Sequence, residues 1–145
     1  MADLAPTKLV VDDAAAAVLC KALKLEGFYP EFTKDQVRGV FPHGDLSLYP
    51  AGARLITQGE DGRDLFVIYT GRVNVVRAFA QQEIALGPGD FFGEIGLVRD
   101  GKRTASVVAL SESRIFRLVH RDLQYLMSSN EELAKHLEDI AYRRL

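Results

Sequence analysis

The chain has 145 residues, of which 48% are apolar and 26% charged, an ordinary composition for one soluble domain with one core, and one that argues against disorder. Its 18 basic and 20 acidic residues leave a net charge of −2, which excludes a global positive field for holding a nucleic acid or an anionic membrane and leaves only a local basic site open. Cys20 is the single cysteine, so an intramolecular disulfide and a multi-cysteine zinc site are excluded, and no apolar run approaches the ~20 residues needed to span a bilayer. The N-terminal MADLAPTKLVVDD lacks the basic region and apolar core of a signal peptide, so the expected location is cytoplasmic.

The first eleven residues carry no periodic signal and read as a mobile or draped arm. Asp12 and Asp13 offer an N-cap for a helix with Ala15, Val18, Leu19, Ala22 and Leu23 on one face and Gly27 as its stop. Cys20 falls off that stripe and reads as a packed or idle thiol, since no adjacent basic group lowers its pKa. Thr33 to Gln36 forms a capping box, with Phe32 and Val37 as the hydrophobic staple, so a second short helix is expected to reach about Val40. Pro42 and Gly44 then break the chain.

From Asp45 the period changes to that of strands. Segments rich in β-branched and aromatic residues recur at Leu46–Tyr49, Arg54–Gln58, Leu65–Thr70, Val73–Phe79, Glu83–Leu86, Thr104–Ala109 and Arg114–Val119, separated by glycine-rich turns. The expected class is mainly β with flanking helices, as a sandwich or jelly-roll barrel rather than βαβ units. After Val119 the helical period returns: Leu123, Leu126 and Met127 share one side of a first helix. Ser129 with Glu132 reads as a capping box opening a last helix with Leu133, Leu137, Ile140 and Ala141 as its apolar stripe. That stripe is an alternative homodimer seam. No DNA-reading helix-turn-helix or catalytic domain is expected after it.

The stretch GDFFGEIGLVRDGKRTASVVA, residues 89–109, concentrates the chemistry. Gly93-Glu94 is followed nine residues after the acid by Arg103 and the small residues Thr104-Ala105-Ser106. A carboxylate accepts from a hydroxyl, a guanidinium forks onto phosphate oxygens, and short side chains leave backbone N–H groups open to an anion, which together suit a small sugar phosphate. The bland alternative is a structural Glu94–Arg103 ion pair around a surface turn. Gly87, Gly89 and Gly93 are spaced G-x-G-x-x-x-G without the context of a dinucleotide fold, and the pattern G-x-x-x-x-G-K-[ST] of a P-loop is absent. His43, His120 and His136 lie far apart without clustered ligands, so no metal site is expected. No nucleophile motif appears, so no catalytic residue and no enzyme activity is expected.

FGEIGL at 92–97 and RTASV at 103–107, with YPAGARLITQGEDGRDLFVIYTGRV upstream, resemble the phosphate-binding cassette and first strands of the cyclic nucleotide-binding domain family. The resemblance covers residues 45–145. It implies a β jelly-roll barrel over 45–119 with the cassette at 89–109, followed by hinge and lid helices over 120–145; the arm and helices read over 1–44 precede it. It implies that Glu94 accepts from the ribose 2′-hydroxyl, that Arg103 pairs with the cyclic phosphate, and that backbone N–H groups of Gly93, Glu94, Ile95, Thr104 and Ala105 complete the cradle. Thr104 leaves the base open, so the ligand is cAMP, favoured, or cGMP. Val75, Leu86 and Val108 are candidates for a purine pocket or ordinary core, and Tyr142, Arg143 and Arg144 for a lid contact or a solvated helix end. Leu97 is expected to relay movement of the cassette to the hinge. The implied role is a signal-transducing regulatory module with an effector not identified by the sequence; the rival is a nucleotide-independent interaction or oligomerisation scaffold.

Overall fold

The computed structural model describes residues 4–77, 82–93 and 102–143. In chain order the elements are β1 (Thr7–Leu9), α1 (Asp13–Ala22), α2 (Lys34–Val40), β2 (Asp45–Tyr49), β3 (Arg54–Ile56), β4 (Leu65–Thr70), β5 (Val73–Arg77), β6 (Gln82–Leu86), β7 (Phe91–Gly93), β8 (Ser106–Ala109), β9 (Ser113–Leu118), α3 (His120–Ser129) and α4 (Glu131–Arg143). Two antiparallel sheets form a jelly-roll sandwich: five strands in the order β1-β2-β9-β4-β7, and four in the order β3-β8-β5-β6. The chain is therefore mainly β with two helices before β2 and two after β9, flanking helices as the sequence pattern implies.

The five-stranded sheet is covered on both faces, which explains why β4 opens on the unbroken apolar run Leu65-Phe66-Val67-Ile68. Leu65, Val67, Phe116, Leu118 and Leu46 turn to one face and pack with the helices. Phe66, Ile68 and Ile115 turn to the other and meet Val73, Val107 and Ala109 of the second sheet. The period of two along each strand thus divides one sheet between two cores.

The helical layer is tied down by local caps and a few polar bonds. Asp12 caps α1 by accepting from the Ala15 N–H at 2.8 Å, and the Thr33–Gln36 capping box of α2 is formed as expected. Asp122 of α3 is buried, accepts from the His43 N–H at 2.8 Å and holds the His43 ring at 2.7 Å, joining the segment before the barrel to the helix after it. On α4, His136 Nε2 lies 3.0 Å from the Leu23 carbonyl and its ring packs against Phe28, with centroids 5.1 Å apart.

Several local expectations are corrected. Thr7–Leu9, expected within a mobile or draped arm, is an edge strand in register with Leu46–Leu48; three residues are too few to show alternation. Phe91–Gly93 is a strand paired to β4 that the sequence pattern missed for the same reason. The last helix is capped by Asn130, whose Oδ1 accepts from the Leu133 N–H at 3.1 Å, and not by Ser129, whose hydroxyl donates back to the Leu126 carbonyl. Cys20 lies inside the helical core beside Leu19 and Leu23 rather than off the apolar stripe. Burial first, and then the nearby Glu26 charge, push its thiol pKa up, so it stays protonated at neutral pH.

Candidate functional site

The described ends of the 89–109 stretch are held by backbone. Gly93 closes β7 opposite Leu65 and turns out of the sheet with φ +99°. A Cβ there would stand 2.4 Å from the Asp64 carbonyl oxygen, so both the conformation and the space require glycine. Residues 94–101 lie outside the described residues, and with them Glu94, Ile95 and Leu97.

The chain returns at Lys102 and is clamped to the turn before β4. Asp61 and Lys102 form an antiparallel bridge reinforced by an ion pair of 3.0 Å. The Arg103 N–H donates to the Glu60 carbonyl at 2.8 Å, and the Gly59 N–H donates to the Arg103 carbonyl at 2.9 Å. Past this clamp the Arg103 side chain lies over Gly62, where a Cβ would come within 2.5 Å of Nε, and Nη1 donates to the Asp64 carbonyl at 3.2 Å. Gly93 and Arg103, ten positions apart, therefore converge on the same Asp64 carbonyl. Thr104 is exposed and Ala105 buried, so the start of β8 sets a small side chain on the core and leaves the preceding hydroxyl to solvent. The Ser106 hydroxyl accepts from the Gln58 N–H at 2.9 Å, binding β8 to the turn that follows β3.

Arg103 also lines a cleft of about 390 Å³ at the end of the sandwich, with Tyr49, Ile56 and Phe66 among its apolar walls and Asp64 and Arg117 among its charged ones. Burial, and then the Asp45 charge, push the Tyr49 phenol above its ordinary pKa. Phe66 stacks on Phe92 at 5.1 Å, joining β4 to β7 directly beside Gly93.

The three purine-pocket candidates separate. Val75 and Leu86 are half-buried against the inter-sheet core, facing the same way as Val73 and Val107. Val108 pairs with Arg54 and Asn74 and so points to the opposite face of its sheet, away from Val75 and Leu86. Of the lid candidates, Tyr142 and Arg143 belong to α4, but their side chains, like all of Arg144, lie outside the described residues. Leu133 and Leu137 of α4 are fully buried in the chain's own helical core. Sequence reasoning passed over Gly62 and Asp64 as site components. The only available signal was a glycine two residues before an acid at the mouth of an apolar strand.

Among the described residues no group of three or more His, Cys, Asp or Glu is placed to hold a metal ion. No described helix is long and apolar enough to cross a membrane.

Residues 46–130 match the family model described as the cyclic nucleotide-binding domain. Over 97 residues the chain is 38% identical to a cyclic nucleotide-gated potassium channel of Rhizobium etli, an alignment covering 67% of this chain and 27% of the channel. Over 102 residues it is 33% identical to the cyclic AMP receptor protein of Thermus thermophilus, covering 68% of this chain and 47% of that protein. The chain thus spans less than half the length of these curated relatives. Among solved structures, the catabolite activator protein of Thermus thermophilus superposes with a TM-score of 0.68 at 30% identity, over 85% of this chain and 57% of that one.

Proposed function

Since the chain belongs to the cyclic nucleotide-binding domain family, we propose that it binds cAMP in preference to cGMP and transmits occupancy through its C-terminal helices, without turning the nucleotide over. The observation that carries this reading is the convergence of Gly93 and Arg103 on the Asp64 carbonyl. It sets a guanidinium, bonded to that carbonyl and lying over Gly62, beside a turn at which only glycine fits. Arg103 supplies the charge-assisted bond to the cyclic phosphate. The backbone of Gly93, Ile95, Thr104 and Ala105 supplies further N–H donors, and Glu94 accepts from the ribose 2′-hydroxyl. Val75 and Leu86, facing the inter-sheet core, form the apolar wall for the purine; Val108, on the other face, has no part in it. The preference for cAMP rests on the likeness to a cyclic AMP receptor protein, and exposed Thr104 is the residue at which cGMP acceptance is decided.

Occupancy is reported by α3 and α4, with Leu97 relaying movement of the cassette to α3 and Tyr142, Arg143 or Arg144 closing over the base. A tenfold preference of the nucleotide for one arrangement of these helices requires only about 1.4 kcal/mol of differential binding. The effector is a protein or domain that reads this arrangement, in the cytoplasm. A homodimer along α4 would have to use a side of the helix other than Leu133 and Leu137, which the chain buries within itself.

The test is a thermal-shift series with cAMP, cGMP and a cyclic dinucleotide. A ligand bound only by the folded state raises stability by RT ln(1 + [L]/Kd), about 2.7 kcal/mol at a hundredfold excess over Kd. The expected order is cAMP above cGMP, with the dinucleotide inert. A chain that none of them shifts is the interaction scaffold instead.

A further inference from the structure

The geometry points to Arg117 as a positioning residue for the phosphate site, acting through Asp64. This rests on the reading of Arg103 as the phosphate ligand. On β9 the neighbours Phe116 and Leu118 turn to the helical core. Arg117 turns the other way, into the cleft that Asp64 and Arg103 also line. Its Nη1 stands 3.3 Å from Asp64 Oδ2 and its Nη2 3.4 Å from Asp45 Oδ2. Asp45 lies directly opposite Arg117 on β2, with its other oxygen held by the Ser47 hydroxyl at 3.1 Å.

Asp64 is therefore bound at both ends. Its carboxylate faces Arg117, while its carbonyl accepts from Arg103 and abuts Gly93. Two carboxylates share one guanidinium, so the trio carries one net negative charge. If Arg117 loses its charge, Asp45 and Asp64 both lose this ion pair, and of the two it is Asp64 that lines the cleft. The Asp64 carboxylate, belonging to the residue whose carbonyl already touches Arg103, is then free to turn to that guanidinium and compete with phosphate for it. Arg117 is the cation that keeps the Asp64 carboxylate from turning to Arg103. Its side chain is 40% exposed, against 29% for Asp64 and 16% for Asp45. Solvent therefore screens the effect and holds it to a modest size.

Calorimetric titration of wild type and four variants with cAMP tests this, with far-UV circular dichroism confirming that each is folded. Arg117→Met is expected to weaken binding about tenfold, a modest loss because solvent screens these partly exposed charges. Asp64→Asn leaves the carbonyl in place and is expected to bind within about threefold of wild type, as is Arg117→Met/Asp64→Asn, because the competing carboxylate is gone. Arg117→Lys keeps the charge and is expected to stay closer to wild type than Arg117→Met does. Wild-type affinity in Arg117→Met overturns the inference, and so does a double variant whose loss is the sum of the single losses, which is the mark of a merely structural role. If Arg117→Met does not fold, a tenfold loss in Asp64→Asn alone overturns it. If wild type itself binds neither cAMP nor cGMP, the nucleotide-binding reading has failed and this inference with it.

Discussion

The two faces of the five-stranded sheet are built from alternate residues of the same strands, yet they have different tasks. Toward the helices, Leu65, Val67, Phe116 and Leu118 are at most 1% exposed and belong to one apolar cluster with the helices. Toward the second sheet, the apolar layer of Phe66, Ile68 and Ile115 runs out at one end into Arg117, Asp64 and Asp45, beside Arg103. One face therefore carries stability and the other ends in the candidate phosphate site. Because neighbouring positions on β9 divide between them, single substitutions one residue apart should separate stability from binding.

The largest effect is expected on the helical face. Phe116→Ala empties a site shared by β9, β2 and the helices, and should lower the unfolding free energy by about 3–5 kcal/mol in denaturant titration. A loss below about 1 kcal/mol would mean that this face is not the stabilising one. At the other end of the sheet, Gly93→Ala forces a left-handed backbone on a Cβ that has no room, which costs about 1–3 kcal/mol of stability. It also displaces the Asp64 carbonyl, so cAMP affinity should fall by more than the loss of stability alone explains, and matched calorimetric and melting data would separate the two. The smallest effect is local to α4: Asn130→Ala removes the cap and should cost about 1 kcal/mol, whereas Ser129→Ala should be close to neutral. A reversed order would return the cap to Ser129.

Sequence pattern reached the inter-sheet core and the helices more readily than the details of the site. Strands such as Leu65–Thr70 and the caps at Asp12 and Thr33 were legible because they rest on local periodicity and local side-chain chemistry. Thr7–Leu9 and Phe91–Gly93 were not, since a strand of three residues is defined by its partner across the sheet and not by its own pattern. Cys20 was misplaced because α1 is covered on a wider arc than a single-face stripe assumes. Within the site, Gly93 and Arg103 were legible as residue types at a telling separation. The support beneath them was not: the Asp64 carbonyl is a backbone atom with no signature of its own, and Arg117 reaches the carboxylate of the same residue from 53 positions away. Val108 stands with Val75 and Leu86 as a strand residue that the resemblance offers for the purine pocket, and only the register of β8 with β3 and β5 shows that it faces the other way.

The most direct test of the central claim is calorimetric titration of wild type and Arg103→Ala with cAMP under one set of conditions. A charge-assisted bond to phosphate contributes about 1.5–3 kcal/mol, and a bidentate pair somewhat more, so the variant should bind about a hundredfold more weakly or worse. Equal affinities for the two proteins would contradict the assignment of Arg103 to the phosphate, and with it the account of this end of the sheet.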